Sequence, residues 1–582
     1  MQGTLKLYVS FLSTYLRSQR LATVLMAVLL LINIALNFIN PLILQSFIDE
    51  LTTGKATRQT LLLEGLAFIT IALLNQGIFI VASYLSVRVA WTATNRLRYD
   101  LMRHCLALDM SFYKERTVGE LIERIDGDVE TLSNFFSQFV VNTLSSLLLL
   151  LGIIVLFFRI DWRVGGALFI FSLFTFVVLI YLRRRAIPLW KEQRQKSARF
   201  YGLLSEWLTG TEDLRANGAI SYVLSCFTHF RQSWLPVYKK ASLAGENTGL
   251  FTRFMSWLGS AISLALGAYL WSLGLITVGT IYLIYTYTNL LSQPIEQLQH
   301  QLQDLQQAEA CIIRVYDLLK TRTLLNDGPG TPLTPEAPAV TFKHITFGYN
   351  PDKPVVQDIT FEVPATKTLG IVGLTGSGKT TLARLLFRFY DPQQGEICLS
   401  NVPIREAHLY DLRQHIGMVT QDVQIFKASV RDNLTFFDPE IPDEQIVRAI
   451  EEVGLADWFS ALPDGLDTLL KAQGGGLSSG EAQLLVFARI FLNNPGLLIL
   501  DEASSRLDPA TEQKIKRVID RLLVGRTAIV IAHRLTTLQR ADDVLLLEGG
   551  RILEHGPREM LAQNPNTRFS QLLRTGLEED LN

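Results

Sequence analysis

Long runs of residues without a charged side chain dominate the first half of this 582-residue sequence. A helix needs about 20 consecutive apolar residues to cross a bilayer. Four runs contain 28, 23, 28 and 19 residues, and a fifth contains 42 residues with a turn-like segment from Gly274 to Gly279 that divides it. The sequence therefore predicts six membrane spans, which lie at 21–48, 65–87, 131–158, 164–182, 254–274 and 278–295.

The connections between the predicted spans alternate between short and long. The long connections, 88–130 and 183–253, are rich in Arg and Lys, which favours the cytoplasmic side of a membrane. We therefore expect these loops and the N-terminus in the cytoplasm, with helices that continue from the spans and project on the order of 30 Å beyond the membrane. No Asp, Glu, Lys or Arg lies within the core of a predicted span, which argues against a proton relay and against a fixed ionic counter-charge.

Uncharged polar residues do occur in the predicted spans, among them Asn33, Asn37 and Asn75. They can hydrogen-bond between helices or line a substrate path, and the sequence leaves both alternatives open. A hydrophobic content of 48% favours contact with lipid, and a net charge of -1 gives no reason to expect nucleic acid as a partner. The four cysteines lack the spacing of a metal site, and their predicted position on or near the cytoplasmic side indicates reduced thiols.

The second half of the sequence has a different pattern, in which short strand-like segments alternate with helical ones. A segment rich in Pro, Gly and Thr at 321–338 indicates a linker. We therefore predict an α-helical membrane domain at 1–320 and an α/β domain at 339–582.

The run IVGLTGSGKTT near the start of the α/β domain fits a phosphate-binding P-loop, because an apolar strand precedes it and a helix follows it. Its glycines allow backbone N–H groups to surround phosphates, and Lys379 can reach the β- and γ-phosphates of ATP. Thr380 is a candidate ligand of Mg²⁺. The predicted ATP-binding residues of this loop are Gly373, Gly376, Ser377, Gly378, Lys379, Thr380 and Thr381.

Two acidic residues, Asp501 and Glu502, follow a run of four apolar residues at 497–500. A parallel strand at this position would deliver both carboxylates to the ligand edge of the sheet. In a chain with a P-loop, Asp501 is predicted to hold Mg²⁺ through water, and Glu502 is predicted to polarise the attacking water as a catalytic base.

With these motifs, the whole chain resembles one half of an ATP-binding cassette (ABC) transporter of the exporter type, in which six spans precede the cassette. The resemblance implies that Tyr349 stacks on adenine, although a buried sheet tyrosine is the alternative. It also implies that Gln421 senses Mg²⁺ and that His533 is the switch histidine that contacts the γ-phosphate. The segments 112–130 and 205–219 resemble the two coupling-helix regions of the family.

The signature of the family, Leu-Ser-Gly-Gly-Gln, is altered in this chain. Ser478 and Gly480 are kept, while Ser479 and Glu481 replace a glycine and a glutamine. In the family this motif closes on the γ-phosphate of ATP that the opposite subunit holds. A unit negative charge about 6 Å from a phosphate charge costs up to roughly 3 kcal/mol at an effective dielectric constant near 20, before screening. We therefore expect closure to be weakened and not abolished.

The resemblance favours a heterodimer, in which the altered signature serves one of two sites. Lys379, Glu502 and His533 then work against the intact signature of a second half-transporter. Arg506, at a position where the family usually has alanine, is a further departure. The predicted function is ATP-driven export of amphipathic or hydrophobic compounds (drugs, lipids or peptides) across a bacterial plasma membrane. The alternatives are an importer on the exporter scaffold, a homodimeric exporter, and a regulatory subunit that binds ATP without turnover.

Overall fold

The chain folds into two compact units. The structure, a computed structural model, describes residues 15, 19–54, 56–138, 143, 145–333, 336–420, 423–471, 476–501, 509–532 and 535–575. One unit, the helical unit, comprises the described residues up to Leu106 and those from Val118 to Thr321. The other, the sheet unit, comprises Ala107–Thr117 and the described residues from Arg322 onward.

Helices account for nearly all of the described chain before the linker. In chain order they are α1 (Arg20–Thr52), α2 (Arg58–Ala107), α3 (Met110–Glu115), α4 (Val118–Ile122), α5 (Asp128–Gln138), α6 (Ser145–Ile160), α7 (Trp162–Thr209), α8 (Thr211–Ala216), α9 (Ile220–Ser272), α10 (Val278–Leu290) and α11 (Ser292–Lys320). Among the described residues, four helices are long and apolar enough to cross a membrane, namely α1, α2, α7 and α9.

Helices α2, α7 and α9 are much longer than the apolar runs within them. They contain 50, 48 and 53 residues. At a rise of about 1.5 Å per residue, each is more than twice as long as the hydrocarbon core of a bilayer is thick. The predicted spans 65–87, 164–182 and 254–274 are therefore parts of longer helices that run on into the polar connections.

Two predicted spans fall on pairs of helices instead of single ones. The span 131–158 covers most of α5 and α6, and part of the segment between them lies outside the described residues. The span 278–295 covers α10 and the start of α11, with a turn at Leu291 between them. Pro294 explains this break, because it has no N–H to donate to the carbonyl four residues earlier and its ring crowds that carbonyl.

Hydrogen bonds join α1 to its neighbours in the helical unit. Asn33 Nδ2 donates to Asn75 Oδ1 at 2.6 Å, and Asn75 Nδ2 donates to Asn37 Oδ1 at 2.9 Å. These three asparagines thus form hydrogen bonds between α1 and α2, which is the first of the two roles that the sequence left open. Near the end of α1, Asp49 accepts hydrogen bonds from the Gly279 N–H at 2.8 Å and from Thr277 Oγ1 at 2.7 Å. The Asp49 carboxylate therefore holds the start of α10 against α1.

The sheet unit contains two β-sheets. Its strands are β1 (Val340–Phe347), β2 (Val356–Val363), β3 (Thr368–Gly373), β4 (Gln394–Leu399), β5 (Val402–Pro403), β6 (Ile416–Val419), β7 (Leu497–Asp501), β8 (Thr527–Ile531), β9 (Asp543–Glu548) and β10 (Arg551–Pro557). The smaller sheet is antiparallel and has the order β2-β1-β4-β5. The larger sheet has the order β10-β9-β3-β8-β7-β6, and all its pairs are parallel except β10 with β9.

The sheet unit also contains α-helices. They are α12 (Lys379–Leu386), α13 (Leu409–His415), α14 (Val430–Thr435), α15 (Asp443–Glu452), α16 (Ala456–Ser460), α17 (Ser479–Asn493), α18 (Pro509–Leu523), α19 (Arg558–Gln563) and α20 (Arg568–Thr575). Strands β3, β7 and β8 are buried along their whole length, as expected for parallel strands with helices on both faces. The fold class predicted from the sequence, a helical membrane domain followed by an α/β cassette, is confirmed.

The boundary between the units differs from the prediction at one place. Helix α11 ends at Lys320 and β1 begins at Val340, so the predicted linker 321–338 lies between them. However, Ala107–Thr117 packs as part of the sheet unit, although the sequence assigned the whole of 88–130 to the membrane domain. All four cysteines lie among the described residues, and all four are free thiols.

Candidate functional site

The P-loop connects β3 to α12 at the carboxyl edge of the larger sheet. Lys379 is only 4% exposed, and its Nζ donates to the Gly373 carbonyl at 2.5 Å and to the Leu374 carbonyl at 3.2 Å. Gly378 has a φ of 105°, and a Cβ at this position would lie 2.6 Å from Val356 Cγ1, so only glycine fits without strain. The Lys379 side chain is therefore held inside the loop that is predicted to bind a phosphate.

Ser377 supplies an independent indication of a ligand at this loop. Its side chain is 4% exposed, and no hydrogen-bond partner for its Oγ exists among the described residues. A buried hydroxyl without a partner costs about 1–3 kcal/mol, which a bound anion with oxygen acceptors would offset. Thr380 is half-buried and Thr381 is 5% exposed in the first turn of α12. These residues fit the predicted triphosphate.

The parallel strands bring the other predicted residues to the same edge. Ile531 of β8 is level with Ile371 of β3 on one side and with Asp501 of β7 on the other. Since strands are about 4.8 Å apart, Asp501 lies about two strand spacings from the P-loop strand. Its side chain is 7% exposed.

Three predicted site residues fall outside the described residues. Gln421 lies shortly after β6, Glu502 directly after β7, and His533 shortly after β8. Each therefore follows a parallel strand whose carboxyl end meets the P-loop edge. Arg506 also lies outside the described residues.

Tyr349 lies next to the P-loop helix. Its hydroxyl accepts a hydrogen bond from Arg384 Nη1 at 3.2 Å and is 3.4 Å from Thr381 Oγ1. Its ring meets Tyr390 edge-on, with 5.2 Å between the centroids, and Lys114 Nζ lies 4.0 Å from its centroid. Burial, and next the neighbouring Tyr349, raise the pKa of the Tyr390 hydroxyl above its ordinary value. Tyr349 is half-buried and packs against the core of the sheets, so both the stacking role and its alternative, a tyrosine of the sheet, stay open.

Lys114 belongs to α3, which Asp109 fixes to the linker. Asp109 caps α3 by accepting from the Ser111 N–H at 3.0 Å, and its other oxygen accepts from Thr323 Oγ1 at 3.0 Å and from the Leu324 N–H. Burial alone would raise the pKa of Asp109, but these hydrogen bonds outweigh burial and hold the pKa below its usual range. This contact could not be predicted from local sequence, because its partners are more than 200 positions apart.

The altered signature begins α17. Ser478 is the N-cap residue, and its Oγ accepts from the Glu481 N–H at 3.2 Å. The Glu481 carboxylate in turn accepts from the Ser478 N–H at 2.8 Å and from the Ser478 hydroxyl at 2.9 Å. This is a capping box in which the acid at the altered position binds the serine of the signature. The negative charge also offsets the positive end of the helix dipole at the place where a phosphate would bind.

Two further residues set the position of the signature helix. Gly480 is buried against α18, and a Cβ there would lie 2.1 Å from Thr511 Cγ2. Arg489, 6% exposed, donates to the Asn433 carbonyl at 2.6 Å and to the Gln424 carbonyl at 3.1 Å. Burial lowers the pKa of Arg489 to about 10. The arginine thus joins α17 to α14 and to the loop after β6, a role that the sequence does not predict.

Comparison with protein families agrees with this architecture. Residues 23–295 match the family described as the ABC transporter transmembrane region, and residues 356–505 match the family described as ABC transporter. A solved structure of a bacterial Atm1-family ABC exporter with ATP bound is similar, with a TM-score of 0.75, 26% sequence identity and coverage of 97% of each chain.

Curated relatives match over nearly the full length of the chain. An exotoxin translocation ATP-binding protein of Pasteurella aerogenes is 31% identical over 92% of this chain and 75% of the relative. A Staphylococcus aureus (strain NCTC 8325 / PS 47) protein, provisionally described as a multidrug export ATP-binding/permease protein, is 30% identical over 96% of this chain and 98% of its own length. The fold, the P-loop geometry and this similarity together show that the chain belongs to the ABC transporter family and is an ATP-hydrolysing, multi-pass membrane transporter.

Proposed function

We propose that the chain is one half of a heterodimeric exporter that uses ATP to move amphipathic or hydrophobic compounds across a bacterial plasma membrane. The assignment of an asymmetric pair rests on a contrast between the P-loop and the signature, the two motifs that would face phosphates. The P-loop offers the buried Ser377 hydroxyl, which no described side chain or backbone group satisfies, whereas the Ser478 hydroxyl is already bonded to Glu481. The names of the multidrug-export and exotoxin-translocation relatives support export as the direction.

In this proposal the chain binds ATP through its P-loop. The loop N–H groups and Lys379 bind the phosphates, together with the first turn of α12. Tyr349 stacks on adenine through the ring face opposite to Lys114. The half-buried position of Tyr349 beside α12 supports this role.

Hydrolysis then depends on the residues that follow the parallel strands. Glu502 accepts a hydrogen bond from the attacking water and orients it, and His533 donates to the γ-phosphate. Thr380, Asp501 and Gln421 are the residues that would hold Mg²⁺, which offsets the negative charge of the phosphates when it is bound. The buried Asp501 at the end of β7 supports this ligand set.

The proposed topology has six spans, with the N-terminus and the sheet unit in the cytoplasm. The basic connections 88–130 and 183–253 support it, because such loops favour the cytoplasmic side. A direct test is ATP-dependent uptake of the amphipathic dye Hoechst 33342 into inside-out membrane vesicles. Uptake only into right-side-out vesicles would instead establish an importer.

Replacement of Ser377 by alanine tests whether the P-loop is built around a ligand. We expect the ATP-free protein to become more stable by about 1 kcal/mol, because the variant removes a buried hydroxyl without a partner. The stabilisation gained on adding ATP should become smaller. Thermal unfolding with and without ATP measures both changes, and a loss of stability in the ATP-free state would contradict this interpretation.

Restoring the signature tests the asymmetric pair. In the complex purified with its native partner, the double variant Ser479→Gly and Glu481→Gln should change nucleotide retention at the partner's site more than overall turnover. The reason is that the signature of this chain does not touch the ATP held by its own Lys379. Coupling through dimer closure would change turnover by about 1–2 kcal/mol at most, if it is of ordinary size. The measurements are ATPase rate and trapped-nucleotide stoichiometry.

A homodimer of this chain would give a different result. If the chain alone purifies as an active homodimer and the double variant raises its turnover tenfold or more, the altered signature serves both sites. Substitution of the serine in the partner's own signature is the matched comparison. It should stop most hydrolysis, since that serine would face the site where Glu502 acts.

A further inference from the structure

A groove between α1 and α2 belongs to the helical unit. It has a volume of about 420 Å³, within the range of about 300–1,000 Å³ that is typical of small-molecule sites. Its lining is mostly aliphatic, with Ile39, Leu42 and Ile43 from α1 and Leu63 and Ala67 from α2. Two polar side chains, those of Ser46 and Glu64, complete it.

The carboxylate of Glu64 is the unusual feature of this groove. Its Oε2 atom is buried, and no donor in the described part of the chain reaches it. Arg58, the preceding described basic residue on α2, lies six positions earlier, which is about 240° around the helix and so on a different face. Glu64 as a whole is half-buried. Because a carboxylate oxygen that is shielded from water without a partner is unfavourable, this position favours a cation that supplies the missing contact.

The position of the polar groups along the groove restricts the shape of that cation. Glu64 lies six residues from the start of α2, and Ser46 lies six residues from the end of α1, which places both about 9 Å along their helices from the α1–α2 turn. Ile39 lies 13 residues from the end of α1, about 20 Å from the same turn. The charge is therefore at the end near the turn, and the apolar lining extends away from it.

We propose that this groove binds the cationic head and apolar body of an amphipathic cation, and that Glu64 selects for positive charge among transported compounds. The inference rests on the proposed export function for its physiological meaning, but the binding itself needs neither ATP nor turnover. Complementarity between one half-buried carboxylate, whose Oε2 has no described partner, and an otherwise aliphatic lining identifies the ligand class. Neutral and anionic compounds would leave the Glu64 carboxylate unpaired.

A pair of ions of nearly equal size and shape tests this charge selection. The protein, purified with its native partner and reconstituted in nanodiscs without ATP, is titrated with tetraphenylphosphonium and, separately, with tetraphenylborate. We expect Glu64→Gln to weaken binding of the phosphonium about tenfold, equivalent to about 1.4 kcal/mol, and to leave binding of the borate unchanged or stronger. Ala67→Phe, which fills the apolar part of the groove, should weaken binding of both ions.

Glu50 offers a matched control, because its Oε2 is also buried without a partner among the described residues, yet Glu50 does not line the groove. Glu50→Gln should leave the affinity for both ions unchanged. Unaltered phosphonium affinity in Glu64→Gln, or equal losses in the Glu50 and Glu64 variants, would overturn the proposal. So would loss of the partner from the Glu64→Gln complex, which would show that Glu64 pairs with a basic side chain of the second subunit. Failure of export with binding selectivity intact would contradict the proposed function alone.

Discussion

Replacement of Glu502 by glutamine should lower steady-state ATP hydrolysis at least about 100-fold while ATP binding persists. The substitution keeps the size and hydrogen-bonding capacity of the side chain, but it removes the carboxylate that accepts a proton from the attacking water. Strand β7, which ends at Asp501 immediately before Glu502, is buried along its whole length. Phosphate release measures hydrolysis, and a fluorescent ATP analogue measures binding.

Glu559→Gln is the matched control for this substitution. Glu559 lies in α19, and its side chain is 79% exposed with a long 3.7 Å contact to Arg558, so its removal should change neither hydrolysis nor binding. A Glu502→Gln protein that hydrolyses ATP within twofold of wild type would refute the role of Glu502. Loss of ATP binding in the same variant would instead indicate that Glu502 supports the binding site.

Local sequence patterns were sufficient to predict the elements around the nucleotide site. The P-loop needs a strand, a glycine-rich turn and a helix in direct succession, and 371–381 encodes all three within eleven residues. The apolar runs likewise predicted where long helices occur, because an apolar helix of this length has few alternatives. Both features depend on neighbours in sequence, and both were found where they were expected.

Contacts between distant parts of the chain could not be predicted in this way. The segment Ala107–Thr117 joins the sheet unit because Asp109 is bonded to Thr323 and Leu324, and nothing in the local sequence of α3 encodes those partners. Arg489 is similar, since its partner carbonyls at Gln424 and Asn433 lie in another part of the sequence. Such contacts are chosen by the packing of the whole domain.

Two acidic residues show what a charge pattern alone does not reveal. The charge-free rule began the second predicted span at residue 65, directly after Glu64, although α2 begins at Arg58 and includes that glutamate. Glu481 departs from the signature of the family, and from the sequence its negative charge predicts only repulsion of a phosphate. In the structure the same carboxylate also caps α17 and binds the Ser478 hydroxyl, so the substitution also stabilises the start of this helix.

Lys379→Ala should lower the affinity for ATP at least about 100-fold, or about 2.8 kcal/mol, and should abolish hydrolysis as a consequence. The ammonium group is almost fully buried, and hydrogen bonds from a charged donor in such surroundings contribute about 1.5–3 kcal/mol each. The same group donates to the Gly373 and Leu374 carbonyls, so the variant should also unfold at a lower temperature when no ATP is added.

The surface residue Lys367 provides the control for Lys379→Ala. Its side chain is 52% exposed and pairs with Asp542 at 2.9 Å, a type of contact that contributes at most about 1 kcal/mol. Lys367→Ala should therefore bind and hydrolyse ATP as wild type does. The pattern across variants separates the two proposed roles, because Glu502→Gln should bind ATP with near wild-type affinity without hydrolysing it, whereas Lys379→Ala should bind ATP weakly and not hydrolyse it. Wild-type ATP affinity in Lys379→Ala would show that the Lys379 ammonium does not contact the phosphates.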